Sequence, residues 1–198
     1  MSNYLDIIKK RRSYYALEPA SPISDDEIQD IVEKAVQYSP SAFNSQSAVA
    51  VVALGDSHDK VWDIVMEKVK PETTEEQWPK SKKKLESFKS SYGTILFFEN
   101  DEVTKGLQDS IPLYADRFQQ WAEHSQGMAE FNVWTALEEA GFGASLQHYN
   151  PLIDDEIKDL FDLPSNYRLI AQMPFGKPAG EPGNKDFKPN SERVKVFK

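Results

Sequence analysis

Residues 24–54 read SDDEIQDIVEKAVQYSPSAFNSQSAVAVVAL, a helix, a polar turn and a strand in succession. Ser24 followed by Asp25, Asp26 and Glu27 is a capping box with acids in the first turn. Ile28, Ile31, Val32, Ala35 and Val36 then recur at helical spacing. Ser39 precedes Pro40, so the helix is expected to end near Tyr38. Ala48 to Leu54 is a short, wholly apolar run, and its length and valines predict a buried strand.

Outward from this unit, helix and strand continue to alternate. Asn3 to about Arg11 predicts a first helix. Beyond Gly55, Ser57 is a candidate cap for a helix carrying Val61, Ile64, Val65 and Val69, which Pro71 stops. The polar, Lys-rich stretch 71–91 predicts a further helix behind a mobile lead-in. Thr94 to Phe98 (TILFF) is a second buried-strand candidate. Tyr114 to Trp121 predicts a short helix. Met128 to Ala140 predicts another, apolar nearly all round, at the centre of the fold or at an interface. Gly141-Phe142-Gly143 ends it. Ala144 to His148 is a possible strand, Asp154 to Phe161 a short capped helix, and Tyr167 to Met173 the last central strand. With no repeat and no linker, residues 1–198 are expected to form one helix-heavy α+β domain. The Pro- and Gly-rich arm from about 177 to 198 is too long to be idle and is expected to wrap something.

Composition narrows the function. Lys and Arg number 23 against 32 Asp and Glu, a net charge of −9, which argues against nucleic-acid binding. There is no cysteine, so disulfides, thiolate nucleophiles and Cys-based metal sites are excluded. No apolar run reaches the ~18 residues of a membrane helix, and the N-terminal stretch is charged where an export signal is apolar. No membrane partner and a cytoplasmic location are expected. His58, His124 and His148 share no ligand spacing, so no metal is expected, and His58 is placed on the surface of a helix's first turn. GxSxG and GxxxxGK[ST] are absent. Gly141-x-Gly143 has Leu146 where a dinucleotide fingerprint needs glycine, and it follows a helix.

A charge pattern remains. Lys9, Lys10, Arg11 and Arg12 form one run, and from Lys177 onward the arm carries more bases than acids. An acidic chain with basic ends either builds an anion site, with Arg forks and a Ser hydroxyl suited to phosphate, or leaves solvated charges that do nothing. Pro40 to Ser47 offers hydroxyls and amides that both donate and accept. It is either an ordinary turn or a site for a ligand with carbonyls and ring nitrogens.

Arg11-Arg12-Ser13-Tyr14, Pro40-Ser41-x-x-Asn44-x-Gln46, Gly141 to His148 (GFGASLQH) and Phe175-Gly176-Lys177-Pro178, in that order, resemble the FMN-dependent nitroreductases. The resemblance runs from about Tyr4 to Phe197. The segment LQHYNP (146–151) is most similar to the bacterial and fungal subgroup linked to oxidative-stress and fatty-acid responses. The resemblance implies an α+β sandwich, a central mixed β-sheet surrounded by helices, in an interlocked homodimer with FMN at the subunit interface. It implies that Arg11, Arg12 and Ser13 hold the phosphate and ribityl end, and that Lys185 of the arm meets the phosphate. Ser41, Asn44 and Gln46 reach the flavin from the other subunit, and Ala144, Ser145 and Leu146 lie along its ring. Two positions depart from the family. Tyr15 stands where many relatives have a base near the pyrimidine, and Phe187 stands at the second basic position of the arm, for which Arg193 is the candidate substitute.

The function so implied is an NAD(P)H oxidoreductase that reduces nitroaromatics or quinones by a ping-pong mechanism in oxidative-stress defence. FMN carries the chemistry, NADH or NADPH is the hydride donor, and no catalytic side chain is named. Phe43, Tyr114, Phe118 and Trp121 are candidates to line the substrate pocket, or else plain core. A flavin-binding sensor or reservoir with little turnover needs the same contacts, and a helical interaction protein needs none of them.

Overall fold

The computed structural model describes residues 4–198, so Asn3, included above in the first helix, lies outside the described residues. In chain order the elements are α1 (Tyr4–Lys10), β1 (Leu17–Glu18), α2 (Asp25–Gln37), β2 (Ala48–Leu54), α3 (Asp56–Val69) and α4 (Trp78–Lys89). They continue with β3 (Gly93–Asn100), α5 (Asp101–Ser110), α6 (Ala115–Glu139), β4 (Gly143–Ala144), α7 (Asp154–Leu160), β5 (Tyr167–Pro178) and α8 (Asn190–Arg193). The sheet order is β1-β5-β3-β2, with β4 also on β5. These strand pairs are antiparallel. The sheet is thus antiparallel rather than the mixed sheet expected, and the one parallel pairing found, Ser13 with Ala144, is an isolated bridge outside its strands.

The α+β sandwich expected from the sequence follows from the alternation in β3. Ile95 and Phe97 enter one core with Val32, Val133, Leu137 and Phe142. Leu96 and Phe98 enter the other with Trp62, Val65, Phe88 and Ile157. Successive strand residues face opposite ways, so a strand apolar throughout needs cover on both sides. Helices α2 and α6 cover one face, and α3, α4 and α7 cover the other.

Capping of α2 is as the sequence predicts. Ser24 Oγ accepts from the Glu27 N–H, and the Glu27 carboxylate accepts from the Ser24 N–H at 2.9 Å. Strand β2 has the expected bounds but not the expected burial. It is an edge strand, and of its residues only Ala53 is buried. Apolar length signals a strand that wants cover; it does not say that the same chain supplies it. Ala50, Val52 and Leu54 line an open groove of about 720 Å³ with Val32 and Val36 of α2.

The two helices expected at 114–121 and 128–140 are one, α6. His124-Ser125-Gln126-Gly127 reads as a polar break, but tertiary partners absorb it. Ser125 Oγ donates to the Trp121 carbonyl at 2.9 Å. The buried Gln126 amide donates to the Phe98 carbonyl at 2.7 Å and to Glu99 at 2.8 Å. Helix α3 starts at Asp56 behind Gly55, not at a Ser57 cap. Helix α7 begins after Ile153 and has no side-chain cap. Of the possible strand 144–148, only Gly143–Ala144 forms, with a further bridge from Gln147 to Gln172.

His58 is not on the surface. It is 2% exposed, with Nε2 2.9 Å from the Lys89 carbonyl and Nδ1 2.9 Å from Thr94 Oγ1. The carbonyl can only accept, so Nε2 carries the proton. Thr94 accepts from the Trp62 indole N–H and donates to Nδ1, so the chain of hydrogen bonds closes on a neutral imidazole. Burial also lowers the His58 pKa, against the raising effect of the Lys89 hydrogen bond. The unfolded chain therefore takes up this proton first as pH falls below about 6.5. This contribution to stability is complete above that pH and is lost as pH falls through the folded value. Denaturant midpoints should fall from pH 7.5 to pH 5, and His58→Gln should flatten that part of the curve.

Candidate cofactor and substrate site

The basic N-terminal run ends against the sheet. The Tyr14 N–H donates to the Ala144 carbonyl at 2.9 Å, which fixes Arg11 to Ser13 beside the turn after α6. Gly143 permits this approach, since a Cβ there would lie 2.8 Å from the Tyr14 ring. Arg11, Ser13, Gly127, Phe131, Trp134 and Leu146 line a cleft of about 320 Å³. The Arg11 guanidinium lies 4.2 Å over the Trp134 ring, a cation–π contact that holds it in place. Burial lowers the Arg11 pKa, Glu138 raises it and neighbouring Arg12 lowers it. The Trp134 indole N–H is buried and has no hydrogen-bond partner. A lone donor beside a half-buried guanidinium calls for a ligand rich in acceptors.

The arm returns to the same place. Arg12 donates to the Gly183 carbonyl. Glu181 and Glu138 both act electrostatically on Tyr14, whose pKa burial raises. Lys185 is exposed, with its ammonium 5.3 Å from the Phe187 ring. Arg193 closes α8 and is exposed. Tyr15 is 57% exposed. Of the three residues assigned to the flavin ring, only Leu146 lines the cleft. Ala144 and Ser145 are buried and do not line it, and Ser145 Oγ accepts from Gln147 at 3.1 Å.

The second polar cluster lies elsewhere. Ser41 and Gln46 line a cavity with Ser39 and Ser125. Ser41 Oγ accepts from the Gln46 N–H at 3.0 Å. Phe43, Asn44 and Gln46 have φ of 55°, 53° and 52°, left-handed backbone at three non-glycine residues close together. Each costs of the order of 1–3 kcal/mol, and such strain concentrates at ligand sites. Nothing in the amino-acid pattern announces it, because Asn alone of the three is at ease there. Phe43, 57% exposed, packs on Phe118 at 5.5 Å and on Trp121 and Tyr114 at 6.2 Å. The four aromatics singled out in the sequence thus form one cluster. Phe43 and Trp121 also line a shallow cavity with His124 and Met128.

Sequence reasoning missed Glu130 of α6, which is 9% exposed and has an unpartnered Oε1. Its one signal was an acid set between Ala129 and Phe131 in the apolar stretch that opens the segment 128–140.

An antiparallel sheet covered by helices on both faces thus carries the Arg11 cleft, the strained polar loop and the aromatic cluster. The chain belongs to the nitroreductase family, whose sequence profile matches residues 8–177, and it is an oxidoreductase of nitro compounds. Nitroreductase FRM2 of Saccharomyces cerevisiae is 36% identical over 188 residues, covering 93% of each chain. Nitroreductase CinD of Lactococcus lactis, solved with chloramphenicol and with 4-nitrophenol, is 39% identical. Its chloramphenicol complex superposes with a TM-score of 0.90 over 99% of this chain and 100% of that one. A protein from Exiguobacterium sibiricum solved with FMN shares the fold, with 14% identity, a TM-score of 0.73 and coverage of 100% and 98%. Among the described residues no helix is long and apolar enough to cross a membrane, and no group of acids and histidines is placed to hold a metal.

Proposed function

We propose that the protein is an FMN-dependent NAD(P)H oxidoreductase that reduces nitroaromatics and quinones as a homodimer. The observation that carries this reading is the cleft at Arg11, where a half-buried guanidinium and an unpartnered indole N–H suit an acceptor-rich ligand. Arg11, Arg12, Ser13 and Lys185 would hold the phosphate and ribityl end, with Leu146 against the ring. FMN supplies hydride acceptance and donation when bound. The residues here anchor it, exclude water and leave one face open for nicotinamide and acceptor in turn.

The dimer completes the site. Ser41, Asn44 and Gln46 would meet the flavin held by the other chain, with Tyr15 and Arg193 at its margins. The aromatic cluster of Phe43, Tyr114, Phe118 and Trp121 would then stack on a flat substrate. CinD binds 4-nitrophenol, a ligand of that shape. The same dimer gives the arm its partner. The groove beside the open edge of β2 is lined by Asp25, Asp26 and Glu33. The arm's exposed Val194, Val196 and Phe197 stand among Lys195 and Lys198. An apolar strand with basic flanks fits an apolar edge with an acidic rim, so the arm of each chain would cross onto β2 of the other.

The pure protein should be yellow and should bleach with NADH or NADPH without oxygen. Steady-state kinetics with a quinone should be ping-pong, because both substrates need one flavin face. Intersecting double-reciprocal lines would sink the shared face, and a colourless protein that takes up no FMN would sink the function.

A further inference from the structure

Glu130 separates two cavities. It lines the Arg11 cleft. It also lines a polar cavity of about 330 Å³ with Glu123, Gln126, His148, Asn150 and Arg168. His148 is exposed, so this second cavity meets solvent. Oε1 of Glu130 is buried without a hydrogen-bond partner, and so is Oε1 of Gln126 one turn earlier. The Gln126 amide nitrogen is committed to the Phe98 carbonyl and Glu99, so it cannot turn to serve Glu130.

The charges around Glu130 do not neutralise it. On its own helix Glu123 repels it. On β5 the Arg168 guanidinium is taken, 3.1 Å from Asp101 and 3.0 Å from Glu123. Beyond α1, Arg11 is stacked on Trp134 and acts on Glu138. Glu99 of β3 lies behind Gln126 and adds a further acid. His148, after β4, lines the same polar cavity as Glu130. Burial first, then Glu123, pushes the Glu130 carboxyl up to about 7. A group poised there both gives and takes a proton near neutrality.

We propose that Glu130 is the proton donor of nitro reduction, passing protons from the polar cavity into the cleft. This rests on the reading of the cleft as the cofactor site, with the substrate on the open face beside it. Reduction of a nitro group to a nitroso group consumes two electrons and two protons. The nicotinamide donor named above ultimately supplies a hydride equivalent, which is both electrons and one proton. The second proton comes from Glu130. Its O–H bond breaks, the proton joins a nitro oxygen, the N–O bond breaks and water leaves, so that R–NO2 + H⁻ + H⁺ gives R–NO + H2O. The carboxylate recovers its proton through the polar cavity, where His148 meets solvent.

The test pairs infrared spectroscopy with single-turnover kinetics on wild type and E130Q. The wild-type protein should show a protonated-carboxyl band that disappears near pH 7, and E130Q should lack it. Wild-type reduction of 4-nitrophenol should slow as pH rises through that range. E130Q should be flat with pH and roughly 10²-fold slower at about pH 6. A wild-type spectrum with no such band, or an E130Q profile like that of wild type, overturns the proposal. If E130Q does not fold, the wild-type band and its pH course decide alone. Uptake of FMN is read separately by absorbance. Its failure would reject the flavin reading, while the infrared band still reports whether Glu130 titrates.

Discussion

Homodimers carrying Arg11→Ala and Arg12→Ala together should bind FMN roughly 10²–10⁴-fold more weakly than wild type. Each change removes a charge-assisted contact worth about 1.5–3 kcal/mol, and about 1.4 kcal/mol is a factor of ten. Lys185→Ala should cost less, because a lysine is a flexible point charge where an arginine is a fixed fork. Riboflavin, which lacks the phosphate, should hardly notice any of the three. Equal losses for FMN and riboflavin, measured by fluorescence titration, would remove these residues from the phosphate.

The same variant tests assembly in trans. A chain with Arg11→Ala and Arg12→Ala, co-expressed with one carrying Ser41→Ala and Asn44→Ala, gives a mixed dimer with one doubly damaged site and one intact site. It should bind about one FMN per dimer with near-native affinity, since the two-fold dimer proposed above takes one cluster of each site from each chain. Ser41 and Arg11 line separate cavities within one chain, which is the arrangement this outcome requires. Two equally weakened sites would place both clusters in one chain.

Trp62→Ala should be the most damaging change away from the site, at about 3–5 kcal/mol. The indole is 0% exposed, donates to Thr94 Oγ1 at 2.9 Å, and packs on Phe88 at 5.0 Å and edge-on to Tyr149 at 6.0 Å. Its loss leaves a large void and breaks the hydrogen-bond chain to His58. A denaturant midpoint close to that of wild type would contradict this account. Because Trp62 belongs to the core on the far face of the sheet, the variant that remains folded should keep its FMN affinity.

Much of the fold was legible in the sequence because local rules governed it. The Ser24 capping box, the apolar β3 and the stop at Gly141 each carry their own signal. Apart from the helix caps at Ser57 and before α7, the errors fell where a distant partner decided. Gln126 belongs in a helix because Phe98 and Glu99 accept from it, and those acceptors are 28 and 27 residues away. His58 is buried because Thr94 and Lys89 come to meet it, across 36 and 31 residues. The candidate site followed the same division. The basic run, the polar turn and the aromatics could be named by residue type. The strain at Phe43 and Gln46, the stacking of Arg11 on Trp134 and the isolation of Glu130 are products of three-dimensional packing.

The open edge of β2 has a consequence for the life of the newly made chain. Seven consecutive apolar residues with one row of peptide groups unpaired make a template on which any other extended strand can grow. Chains that meet slowly, or whose tails have been trimmed by proteases, should therefore be lost to insoluble aggregates rather than persist as singletons. With the arm proposed to cover this edge, removal of residues 194–198 should lower the yield of soluble protein even where catalysis is kept.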